Sequence, residues 1–157
     1  MKKTTLSISK RIVLILFTMV FFACSTAKHN TAAIPDLLQP DKNQIWQLVA
    51  MRSRNLNPAS PVTLLLNPDT GIISGNANCN NYYAKFTIKP LRSTPEGDVF
   101  QLSVNSLSTG STRCPDADMN AEQRYTALLE KADTMVLTAY TLTLYQRGKE
   151  ILKFELQ

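Results

Sequence analysis

Between Tyr82 and Lys89 apolar and polar side chains alternate with hardly a break. Tyr82, Ala84, Phe86 and Ile88 fall on one face of an extended chain, and Tyr83, Lys85, Thr87 and Lys89 on the other. A period of two with one dry face and one wet face predicts an antiparallel strand. The same pattern predicts a strand over Ile45 to Ser53, with Trp46, Leu48 and Ala50 on one side, and another over Val62 to Leu66, after a break at Pro58 to Pro61. Asn67 to Gly71 (NPDTG) carries turn residues in turn order and folds the chain back into Ile72 and Ile73 as a hairpin. Pro90 to Asp98 (PLRSTPEGD) reads as a loop, after which Phe100, Leu102 and Val104 alternate with Gln101, Ser103 and Asn105. Leu142 and Leu144 lead through an Arg147-Gly148 turn into Leu152, Phe154 and Leu156, a second hairpin.

One segment has the other period. From about Asp116 or Asp118 to Ala132, Tyr125, Leu128, Leu129 and Ala132 follow i, i+3, i+4, i+7 spacing, behind Pro115 and acidic residues that suit the positive end of a helix. About seven strands and one helix, with no βαβ rhythm and no internal repeat, predict an α+β fold that is mostly antiparallel β. A curled, barrel-like sheet with one helix packed on it also hides sheet edges.

The opening of the chain has a different pattern. Met1 to Arg11 is basic, and Ile12 to Ala23 is an apolar run without charge. Twelve helical residues rise only about 18 Å against roughly 30 Å of hydrocarbon, so the run reads as a secretory signal and not a retained span. It ends in Phe22, Ala23, Cys24 and Ser25, which resembles the lipobox of bacterial lipoproteins, although Phe21 and Phe22 depart from it. On that resemblance residues 1–23 are a signal peptide and Cys24 is diacylated, carrying fatty acyl chains such as palmitate. Ser25 then directs sorting to the outer membrane, with the domain facing the periplasm. Several acyl chains hold a protein firmly where one does not. Residues 24–44 form a polar, proline-punctuated tether, and residues 45–157 the globular domain.

Composition changes the picture once the signal is set aside. The chain has 17 basic and 12 acidic residues and a net charge of +5, but Lys2, Lys3, Lys10 and Arg11 fall within the signal. Without them the balance is 13 against 12, which removes the electrostatic case for a nucleic-acid partner. The sole histidine, His29, lies in the tether, so chemistry based on a histidine base or several imidazole ligands is disfavoured. Neither a metal nor a cofactor is expected. With Cys24 assigned to lipid, Cys79 and Cys114 form an even pair in an exported chain, and a disulfide is the favoured reading. A metal site or a reactive thiol are the alternatives, without a histidine or further cysteine in the domain to support them.

Trp46 with Leu48, Gly71 to Gly75 (GIISG), and Cys79-Asn80 ahead of Tyr82 and Tyr83 resemble the first half of the META domain of HslJ-like heat-shock lipoproteins. Ser111 to Pro115 (STRCP), the acidic helix with Glu122, and the Leu142, Leu144, Arg147-Gly148, Phe154 closing pattern are similar to its second half. The chain departs from the family at Asn76 to Asn78, which replace a glycine-richer approach, and lacks residues between the STR element and Cys114. The resemblance implies a compact β-rich domain with one helix, lipid-anchored in the bacterial envelope and associated with stress response, without enzymatic activity. The fold is also similar to small lipoproteins that pilot secretins.

A binding rim is predicted where polar loops meet. Asn78, Asn80 and Asn81 crowd one strand connection, and a Cys79–Cys114 bond sets Arg113 beside them, so that amide and guanidinium donors share one edge. The competing reading is that the asparagines bond their own turns and Arg113 braces the loop. No catalytic residues are assigned: Asp116, Asp118 and Glu122 are spaced as helix-capping residues, and Ser108 to Ser111 lacks a base. Two functions follow as expectations. The first is a non-enzymatic envelope lipoprotein that binds a protein partner and supports outer-membrane integrity under stress. The second is a carrier of a small apolar molecule in a barrel cavity walled by Trp46, Tyr82, Tyr83, Phe86 and Phe100.

Overall fold

A computed structural model describes residues 44–56 and 61–157. The signal peptide and residues 24–43 of the tether, with Cys24 and His29, lie outside the described residues. Nine strands and one helix follow one another: β1 (Trp46–Met51), β2 (Arg54–Asn55), β3 (Thr63–Asn67), β4 (Ile72–Asn76), β5 (Asn81–Thr94), β6 (Gly97–Thr109), α1 (Asp116–Leu129), β7 (Thr134–Leu137), β8 (Thr141–Gln146) and β9 (Lys149–Leu156). Every pairing is antiparallel, and β1 bonds β3 on one side and β9 on the other. The sheet therefore closes: eight strands form a barrel, and the two-residue β2 is a short flap on β1. Closure leaves few strand edges to be hidden by other means.

The inward face is the one the alternation predicts. Trp46, Leu48 and Ala50 of β1, and Tyr82, Ala84 and Phe86 of β5, are buried, while Tyr83, Lys85 and Thr87 are exposed. These side chains join Phe100, Met135, Leu142, Leu152 and Phe154 in one buried cluster. Among the described residues its fully buried members lie between Trp46 and Phe154, within the compact unit of residues 32–157 that has its own core. At Gly75 the β3 and β4 backbones approach so closely that a Cβ would run into the Thr63 carbonyl.

Three expectations are corrected. The stretch from Pro90 is not a loop: β5 runs on to Thr94 and turns directly into β6. Beyond Lys85, β5 has no β4 partner, and a residue without an N–H is tolerated at such an edge; a bulge between Pro90 and Arg92 absorbs the irregularity. The strand β7, absent from the sequence reading, links β6 to β8 and is needed to close the ring. The helix ends at Leu129, although Ala132 still packs into the core.

Candidate functional site

The predicted rim is a latch. Asn76 accepts from the Asn78 backbone N–H (2.8 Å), and Asn78 itself takes a positive φ of 94°, which asparagine tolerates better than most residues. The loop that results points its amides at the first two turns of α1. Asn78 Nδ2 donates to Asp118 Oδ1 (3.0 Å). Asn80, only 6% exposed, donates from both its backbone N–H (2.8 Å) and Nδ2 (3.1 Å) to Glu122 Oε2. The remaining capacity of the Asn80 amide pairs with the backbone of Thr112 as a neighbouring strand would. Nδ2 donates to the Thr112 carbonyl (3.1 Å), and Oδ1 accepts the Thr112 N–H (2.9 Å). Between these contacts, Cys79 and Cys114 form the expected disulfide, with Cα atoms 6.0 Å apart.

Asp118 and Glu122 are therefore not caps. The N-cap of α1 is Pro115, without a side-chain cap bond, and the two carboxylates, one helical turn apart, receive the loop. Of the four predicted rim residues, Asn78 and Asn80 are engaged within the fold, whereas Asn81 and Arg113 are exposed. Asn81 accepts from Asn76 Nδ2 at 3.3 Å.

A second buried polar contact ties the helix to the barrel. The Tyr82 and Tyr125 hydroxyls lie 2.6 Å apart, and Tyr82 also donates to the Thr63 carbonyl at 3.1 Å. A phenol has one proton and a carbonyl has none to give, so Tyr125 must be the donor between the hydroxyls. Burial pushes both phenols well above their ordinary pKa. The Tyr125 ring packs edge-on against Tyr82 and Phe154.

A concave surface of the domain lies elsewhere. A groove of about 710 Å³ runs between β1, the approach to β3 and α1. Leu48, Met51, Leu56 and Val62 give it an apolar floor, and Arg52, Arg54 and Arg124 stand in its lining. Arg52 and Ser53 form the two-residue turn between β1 and β2 with φ of 50° and 60°, and the Arg52 N–H is tied to the Ile151 carbonyl at 2.8 Å. Among the described residues none of these three guanidinium groups pairs with a carboxylate. The groove was not anticipated, because its residues are spread from position 48 to 124. The one local signal was the Arg-Ser-Arg run at residues 52–54. Among the described residues no three His, Cys, Asp or Glu side chains gather as metal ligands would.

The fold and its latch define a small antiparallel barrel whose single helix is pinned by a disulfide and asparagine–carboxylate bonds. The chain belongs to the META domain family, whose model matches residues 37–157. An NMR structure of a protein from Burkholderia xenovorans is similar in fold, with a TM-score of 0.55 and 22% identity over 80% of this chain and 93% of that one. A second NMR structure aligns with a TM-score of 0.51 and 17% identity, over 78% of this chain and 95% of that one. No curated protein matches the chain.

Proposed function

We propose that this protein is a non-enzymatic binding module of the bacterial envelope. Lipid on Cys24 anchors it to the outer membrane, its barrel faces the periplasm, and it engages an envelope protein to support integrity under stress. The observation that carries the reading is the groove: a concave, apolar-floored and basic surface on a barrel with a clustered hydrophobic core. A crosslinked barrel with such a core presents a preformed surface, and preformed surfaces lose less entropy on binding. The tether supplies reach between anchor and domain. Crosslinking of the tagged, lipidated chain in intact cells, followed by mass spectrometry, tests it. One stoichiometric envelope protein supports the module, and its absence together with turnover of an envelope substrate would refute it.

A second reading is favoured by one observation. Trp46, Tyr82, Phe86 and Phe100, the expected cavity walls, are buried in the core cluster and Tyr83 is exposed, but the groove has the volume of a small-molecule site. A carrier function therefore belongs to the groove.

A further inference from the structure

We infer that the groove between β1, the approach to β3 and α1 binds a single-chain amphiphile with an anionic head group. The inference rests on the carrier reading and names its ligand.

Size is the first argument. Sites for single small molecules enclose about 300–1,000 Å³. At about 710 Å³ the groove falls within that range. Lining chemistry is the second. Leu48 and Val62 are nearly inaccessible, 1% and 5% exposed, and Met51 and Leu56 are half-buried and pack against the core, so an apolar tail laid over them covers surface the fold leaves partly wet. Charge is the third. Among the described residues the lining holds three arginines and no acidic side chain, from two separate elements: Arg52 and Arg54 from the β1–β2 hairpin and Arg124 from the helix. Guanidinium groups present planar pairs of donors that match a carboxylate or a phosphate, and they hold such groups more strongly where apolar surface excludes water. A neutral or cationic amphiphile would satisfy the floor and leave the guanidiniums unmatched.

The hairpin geometry fits this role. Arg52 and Ser53 hold positive φ in a turn where glycine or asparagine is the easy choice. The bond from the Arg52 N–H to Ile151 keeps that turn against β9, so the two hairpin arginines are presented by a fixed piece of backbone.

The chain from Ser25 to Gln157, which contains the whole barrel core and lacks the lipid, serves as the test object. Isotope-labelled protein is titrated by NMR with four probes below their micelle concentrations: dodecanoate, dodecyl phosphate, dodecanol and dodecyltrimethylammonium. The expected result is saturable one-to-one binding of the two anions, with shifts centred on Met51, Leu56, Arg54 and Arg124. Affinity for the cation should be at least about tenfold weaker. Arg54→Gln and Arg124→Gln should each weaken the anions several-fold and leave dodecanol and the core resonances unchanged. Equal affinity for anions and cation in the groove would overturn the anionic assignment and leave the carrier reading standing, whereas shifts on another face would overturn both. Binding of none of the probes, or of anionic vesicles or an acidic peptide alone, would overturn both.

Discussion

The proton arrangement at Tyr82 and Tyr125 predicts an asymmetry that side-chain burial alone does not. Tyr82 donates to the Thr63 carbonyl and accepts from Tyr125, whose ring is wholly buried. In Tyr125→Phe one hydrogen bond is lost, and Tyr82 keeps its acceptor, so the cost is about 1 kcal/mol. In Tyr82→Phe the Thr63 carbonyl loses that donor and the Tyr125 hydroxyl, on a wholly buried side chain, is left without the partner it donates to. Two lost bonds and an orphaned buried donor cost about 3 kcal/mol. The double variant removes the orphan with its partner and should cost about 2 kcal/mol, making it more stable than Tyr82→Phe alone.

Thermal unfolding with the disulfide intact reads this directly. For a domain of this size about 3 kcal/mol corresponds to roughly 12 °C in Tm, against about 4 °C for Tyr125→Phe. The cycle must be strongly non-additive, with a coupling of about 2 kcal/mol. Equal losses from the two single variants, or a double variant whose loss is their sum, would refute the donor assignment.

The same pair predicts alkaline sensitivity. Burial holds both phenols neutral in the fold, so their contribution is complete below about pH 10, the unfolded value, and is lost as pH rises above it by about 1.4 kcal/mol per unit for each group. Urea midpoints should therefore fall steeply above pH 10 and less so in the double phenylalanine variant. At the latch, Asn80→Ala should lower stability by about 2–3 kcal/mol, because its amide serves Thr112 and Glu122 together, whereas exposed Arg113→Ala should change Tm by less than about 2 °C. Denaturation curves of both variants check this, and a large loss from Arg113→Ala would restore the bracing role. Reducing the Cys79–Cys114 bond, 35 residues apart in sequence, should cost about 4 kcal/mol on the loop-closure account, measured by calorimetry with and without reductant.

What the sequence disclosed follows from which forces act locally. The inward faces of β1 and β5, the β8–β9 hairpin and the stripe Tyr125, Leu128, Leu129 and Ala132 were legible because burial imposes a period that a short window can count. Strand β7 was not, since Thr134 to Leu137 offers only Met135 and Leu137 as buried positions, two points that fix no period. Pro90 misled because its tolerance depends on β4 ending opposite Lys85, a fact of the sheet and not of the segment. The asparagine cluster was visible, and so was its alternative as a set of loop braces. Its destination was not, because the Asp118 and Glu122 carboxylates that receive it had a sufficient local explanation as first-turn helix residues. The groove was hidden for the same reason: Arg124 reads as one more exposed polar residue until the helix is laid beside β1.

That placement makes the latch and the groove parts of one arrangement. One face of α1 does two jobs and its flank a third. Asp118, Glu122, Tyr125 and Leu129 follow i, i+4, i+7, i+11 spacing, so the asparagine loop sits on the N-terminal half of the stripe whose C-terminal half enters the core, while Ala121 and Arg124, three residues apart, line the groove beside it. Asn78 belongs to two of these regions, lining the groove while it donates to Asp118. The wall of the groove that carries Arg124 is thus positioned by contacts that Arg124 does not itself make: a covalent bond just ahead of the helix and three hydrogen bonds to two carboxylates within its first two turns. Loosening them leaves every lining residue in the chain but removes the fixed spacing between Arg124 and the hairpin arginines. The order of that spacing then has to be restored on binding, at a cost in affinity. A Cys79→Ser, Cys114→Ser variant, kept folded at low temperature, should therefore bind dodecyl phosphate more weakly while its affinity for dodecanol, which needs only the floor, stays nearly unchanged. An equal fall for both probes would mean that the crosslink supports the floor of the groove and not the helix wall.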